Sequence, residues 1–189
     1  MITAPPRRTA AIIFILVTAL LDVMSMGIVI PVLPQLIETL AGSNTAAGMW
    51  NGLFVALWAA MQFLCSPVIG SLSDRFGRRP VILISVAGLA LDFLLMALAP
   101  DLWWLALGRL LAGVTSSSFT SAFAYMADIT PPEQRARGHG LIGAAFSGGF
   151  VAGPLIGGVL GEVSLRAPFW AAAALSALAF VYGLLVLPE

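Results

Sequence analysis

The stretch Gly70-Ser71-Leu72-Ser73-Asp74-Arg75-Phe76-Gly77-Arg78-Arg79-Pro80-Val81 decides the fold, because it sets three arginines and one aspartate between two long apolar runs. This pattern predicts a tight loop joining two membrane spans. Loops rich in Arg and Lys stay on the cytoplasmic side, so the loop anchors the topology of the whole chain. Gly77 permits a turn that residues with a Cβ resist, and Pro80 is expected at the first helical position of the next span, where its missing N–H costs nothing. Asp74, among three guanidiniums, reads most simply as an ion-pair partner.

Composition agrees with spans on either side. Of the 189 residues 60% are apolar and only 10% charged, and mean hydropathy is +1.00, whereas soluble domains are about 45–50% apolar and about 25% charged. The class is an all-α integral membrane protein. At about 20 residues per span, the length allows six transmembrane helices with short loops, a single bundle over 1–189. A net charge of zero suggests no nucleic-acid partner. Cys65 is the only cysteine and His139 the only histidine, so neither an internal disulfide nor a metal site on protein side chains is expected. No nucleophile–base pair is visible either, which argues against an enzyme.

The spans follow in order. The first runs from about Ala10 to Leu33, after Arg7 and Arg8, and an external loop from Pro34 to about Gly48 follows it. The others are about Met49–Leu72, Val81–Ala99, Leu102–Met126, Gly140–Gly161 and Phe169–Leu187. Seven of the nine arginines (Arg7, Arg8, Arg75, Arg78, Arg79, Arg135, Arg137) then fall on one side and only Arg166 on the other. That asymmetry makes the arginine-rich side cytoplasmic, with both termini there.

Charges left inside a membrane cost roughly 2.5–3.5 kcal/mol each and are functional by default. Counting about 1.5 Å per residue places Asp22, Asp92 and Arg109 in one layer, roughly 18–20 Å from the cytoplasmic face. Two carboxylates and one guanidinium leave an excess negative charge that a proton can neutralise. A folding ion pair of Arg109 with one Asp is the plainer reading, and it leaves the second Asp unexplained. Gln62 in span two, and Thr115, Ser116, Ser117, Ser118, Thr120 and Ser121 in span four, either line a cavity or hydrogen-bond between helices. The series Asp22, Gly27, Pro31, Pro34 predicts a weakened helix on the outer half of span one. Gly149, Gly153, Gly157 and Gly161, spaced by four beside Pro154, share one helical face on which another backbone can approach closely. One role for so long a smooth face is a surface on which another bundle rocks.

These residues carry a resemblance. Gly70–Val81 resembles the cytoplasmic signature between the second and third helices of the major facilitator superfamily, and Gly149-Phe-Val-Ala-Gly153-Pro154-Leu-Ile-Gly157-Gly158 is similar to the fifth-helix motif of its drug–proton antiporters. The runs Leu21–Pro34, Ala90–Ala97 and Gly108–Gly113 resemble the tetracycline efflux proteins in particular. The resemblance implies the superfamily's amino-terminal bundle, two inverted three-helix repeats forming half of a twelve-helix transporter, in a bacterial inner membrane. It implies export of tetracycline, as a complex with a divalent cation such as Mg2+, in exchange for a proton, with no cofactor of the protein's own. Asp22, Gln62, Asp92 and Arg109 would handle substrate and proton. Gly70, Asp74, Arg75, Gly77, Arg78 and Arg79 would form a cytoplasmic gate, with Asp128 pairing to Arg78 or Arg79. Expected partners are the drug, protons, the bilayer, and a carboxy-terminal half or a second copy. The alternatives are a multidrug or other small-molecule exporter of the same superfamily, or a nontransporting membrane interaction protein.

Overall fold

The computed structural model describes residues 6–115 and 118–186, with side chains over 11–115 and 121–185. The side chains of Arg7, Arg8, Ser118 and Thr120, and all of Ser116, Ser117 and Leu187, lie outside the described residues. The helices are α1 (Pro6–Val29), α2 (Leu33–Ala41), α3 (Asn44–Phe76), α4 (Arg78–Leu98), α5 (Leu102–Thr115), α6 (Ser118–Ile129), α7 (Arg135–Val163) and α8 (Ala167–Val186), with a 3₁₀ turn at Pro132–Gln134 before α7. Among the described residues five stretches are long and apolar enough to cross a membrane, and α5, shorter but apolar, together with α6 occupies the range read as the fourth span. The chain is thus a multi-pass helical bundle.

The backbone bears out one expectation, a weakened outer half of the first span, and corrects two others. Helix α1 stays regular through Asp22 and breaks only at Ile30–Val32, where Pro31 has no N–H to give the ladder and the Val32 N–H turns back to the Val29 carbonyl at 3.1 Å. The connection read as a loop from Pro34 to Gly48 is mostly helix. Pro34 fits the first turn of α2, Gly42 ends it in a left-handed conformation (φ 73°), and Ser43 caps α3 by accepting the Ala46 N–H at 3.3 Å. Leu36 and Ile37 of α2 are buried with Phe54, Phe93, Met96, Leu105 and Phe169 in the core at that end. Lastly, the arginine loop shrinks to one residue. Helix α3 runs to Phe76, α4 starts at Arg78, and Gly77 (φ 91°) makes the whole reversal, so Pro80 is the third helical residue and not the first.

Helix α1 lies at the centre, packed most extensively on α7 and also on α8, while α4 packs on α5 and α8, and α3 on α5. The glycine face of α7 turns inward on α1, which rules it out as an open surface for another bundle. A Cβ at Gly149 would lie 2.7 Å from the Leu20 carbonyl oxygen, and one at Gly153 would lie 2.7 Å from both Gly27 Cα and the Met24 carbonyl oxygen. A Cβ at Gly157 would strike the Ile28 carbonyl, and one at Gly161 would meet Val32 at 3.1 Å, whereas Gly158 points into open space. At the end of the bundle away from the arginine-rich junction, Arg166 donates to the carbonyls of Ala97 (3.1 Å) and Ala99 (2.7 Å), satisfying acceptors that the end of α4 leaves open.

This contact sets an expectation. Gly153→Ala forces two backbones apart and should cost about 1–3 kcal/mol, whereas Gly158→Ala should be neutral or slightly stabilising through helix propensity. Thermal unfolding of the two variants in detergent measures the difference.

Candidate functional site

Asp92 on α4 is fully buried, and its Oδ2 is paired with the Arg109 guanidinium of α5. The same guanidinium nitrogen lies 3.4 Å from the Met96 sulfur, one turn along α4 from Asp92. Oδ1 of Asp92 and Nε of Arg109 are buried with no hydrogen-bond partner. Pairing an Asp with an Arg is what makes either tolerable away from water. Arg109 reaches further than the pair. It also lines a cavity of about 330 Å³ between α1, α3, α5 and α7, with Gln62, Trp58, Phe146 and Phe150. One cation therefore connects a buried carboxylate to a ligand-sized space.

Asp22 is not among the residues lining that cavity. It is 2% exposed on α1 and borders a space of about 10 Å³, with Thr18 of the same helix, Ile82 of α4 and Ala122 of α6. A space of this size is close to that of a single water. Asp92, Arg109 and Gln62 thus form one constellation and Asp22 a separate buried site. The aromatic residues were missed by sequence reasoning. Phe146 and Phe150 have nearly parallel rings (7°, centroids 6.3 Å apart) and flank the glycine face; an aromatic pair at i, i+4 beside a packed face was the available signal. Thr115 donates to the Leu111 carbonyl of its own helix at 2.9 Å and packs against Gly88 of α4, so it serves helix packing and is not among the residues lining the cavity.

At the arginine-rich end Arg78 is the hub. Its guanidinium meets Asp74 at 2.7 Å, Ser73 at 3.2 Å and Asp128 at 3.3 Å, tying the end of α3 and the start of α4 to α6. Arg79 donates to the Leu184 carbonyl of α8 at 3.1 Å. Arg75 lies over the Phe76 ring, and no position beside Gly70 is crowded. Asp128 thus pairs with Arg78, one of its two expected partners. Below this junction a cavity of about 700 Å³ is lined by Pro80, Leu83, Tyr125 and Leu184 along with the arginines.

Comparison with known proteins follows the same lines. Residues 15–189 match the family model of the Major Facilitator Superfamily. The chain is 50% identical to "Tetracycline resistance protein, class C" of Escherichia coli over 97% of its own length and 46% of that protein's. It is 34% identical to "Multidrug resistance protein 1" of Bacillus subtilis (strain 168), again over 97% of this chain and 46% of the other. The crystal structure of the human organic anion transporter MFSD10 (TETRAN) superposes with a TM-score of 0.84 at 27% identity, covering 98% of this chain and 49% of that one. The chain spans about half the length of the curated relatives it matches.

The hub at Arg78 yields a stability test. Arg78→Gln removes contacts to two carboxylates and a hydroxyl and should cost about 1 kcal/mol, the upper range for a partly exposed ion pair. Arg75→Gln, stacked on its neighbour, should stay within about 0.5 kcal/mol of the parent in chemical unfolding.

Proposed function

The chain belongs to the Major Facilitator Superfamily, and on that premise we propose that it forms the amino-terminal bundle of a proton-coupled drug antiporter. Its cargo is a tetracycline, carried as the complex with a divalent cation such as Mg2+. The observation that carries this reading is Arg109, which holds buried Asp92 with one nitrogen while lining the cavity that contains Gln62. Asp22, Asp92 and Arg109 sum to one negative charge in the membrane interior. A single proton or a singly positive cargo neutralises it, and once either is present the electrostatic reason to admit the other is gone. Exchange follows from that exclusion.

Relatives named for tetracycline resistance support this cargo over others. A multidrug exporter is the second reading, favoured by the largely apolar, aromatic wall of Trp58, Phe146 and Phe150 and by the relative named for multidrug resistance. A carboxy-terminal half, or a second copy, closes the cavity from the facing side. The arginine asymmetry supports a bacterial inner membrane orientation with both termini in the cytoplasm. The contacts of Arg78 with Asp74 and Asp128, together with the neighbouring Gly70, Arg75, Gly77 and Arg79, serve as the cytoplasmic gate, and Asp22 sits on the helix that an inverted repeat makes equivalent to that of Arg109.

The test uses a transporter assembled around this chain. Asp22→Asn and Asp92→Asn should each lower tetracycline uptake into inverted vesicles under an imposed pH gradient by at least about tenfold, within the range for an essential proton-handling group. Membrane insertion should be unchanged. Normal uptake in both variants would sink the proposal.

A further inference from the structure

The glycines of this bundle do not all do the same thing. A Cβ at Gly113 would meet Met61 Cβ at 2.6 Å and the Trp58 carbonyl oxygen at 2.7 Å, and a Cβ at Gly88 would strike the Thr115 side chain. Those are helix-packing glycines. At Gly108 the three nearest atoms all belong to Asp92: Oδ1 at 2.5 Å, the backbone oxygen at 3.5 Å and Cγ at 3.7 Å. The atom that an added Cβ would strike first is the carboxylate oxygen that has no hydrogen-bond partner.

We propose that Gly108 is a positioning residue for Asp92: lacking a side chain, it reserves the space beside Oδ1, so Oδ1 takes the proton while Oδ2 stays with Arg109. The inference rests on the proton-coupled reading and deepens it by naming the atom. Gly108 and Arg109 are consecutive on α5, so one segment of helix treats the two oxygens of one carboxylate differently. Arg109 occupies Oδ2, and Met96 flanks the guanidinium from the α4 side. The carboxyl is fully buried and held by Arg109, so a Cβ at position 108 would press directly on Oδ1. Among the described residues, the charged group that meets Asp92 is Arg109; α3, α6 and α8, which also pack on α4, bring no charged side chain to it. The step is a plain transfer. Hydronium gives its proton to Oδ1, leaving water and a neutral carboxyl, and the guanidinium keeps its charge and its bond to Oδ2.

The test is infrared titration of the purified chain in detergent, with the carboxyl band of Asp92 assigned by its loss in Asp92→Asn. Gly108→Ala should reduce the protonated fraction at fixed pH about tenfold, corresponding to about one pH unit, and shift the band frequency. Gly113→Ala, which overpacks the same helix against α3, should leave the band in place. Equal effects of the two alanines, or none from Gly108→Ala, would overturn the proposal. If Gly108→Ala does not insert, Asp92→Glu fills the same space from α4 and carries the same expectation, with an unaltered protonated fraction overturning it. Should the titration behave as expected while Asp92→Asn still exchanges drug for protons, the transport reading falls and the positioning role stands.

Discussion

The pairing of Asp92 with Arg109 is the constraint on which the middle of this bundle depends. Removing one member of a buried ion pair typically costs about 3–5 kcal/mol, because the survivor is left charged and dry. Helices α4 and α5 are therefore held at a fixed rotation and height relative to each other. With that register set, Met96 falls beside the guanidinium, and the rest of Arg109 is turned toward Gln62 and the aromatic wall. The cavity has its cation at the position the buried carboxylate dictates.

Around this charged centre, helix association must come from close contact, since lipid tails offer no hydrophobic gain for apolar surfaces that leave them. The bundle answers with glycine at each tight interface. Gly27 and Gly153 bring α1 and α7 to backbone contact, and Gly113 does the same for α5 on α3. A face smooth enough to slide is thus also smooth enough to lock, and here it is locked by the central helix.

Much of this was legible in the sequence because membranes simplify the code. Length, hydropathy and arginine asymmetry point to six spans, and the cost of burying charge singles out Asp22, Asp92 and Arg109 before any geometry is known. What stayed hidden depends on rotation about a helix axis. Depth counting put Asp22 in the same layer as the ion pair, yet its side chain borders a separate small space beside Thr18, and it is the adjacent Val23 that lines the cavity. Spacing by four showed that the α7 glycines share a face but not which neighbour covers it. Phe146 and Phe150 carry no mark in the sequence beyond their spacing, and their place on the cavity wall depends on how α7 is oriented. The external connection was misread because Pro34 and Gly48 signal turns in isolation, whereas Pro in a first turn and a left-handed Gly42 are equally the punctuation of a short helix.

The single-residue junction at Gly77 has a mechanical consequence. Helix α3 spans 33 residues and α4 spans 21, and two backbone torsions are all that lie between them. Such a joint has almost no slack, so a displacement at the far end of α3, about 50 Å away at 1.5 Å per residue, is geared down to a small displacement beside Arg78. Because Arg78 also grips α6, and Arg79 grips α8, that fulcrum is shared by two further helices. A long arm on the lipid-facing side and a short arm under a clamp make α3 and its hinge a lever, with force traded for travel at its arginine-rich end.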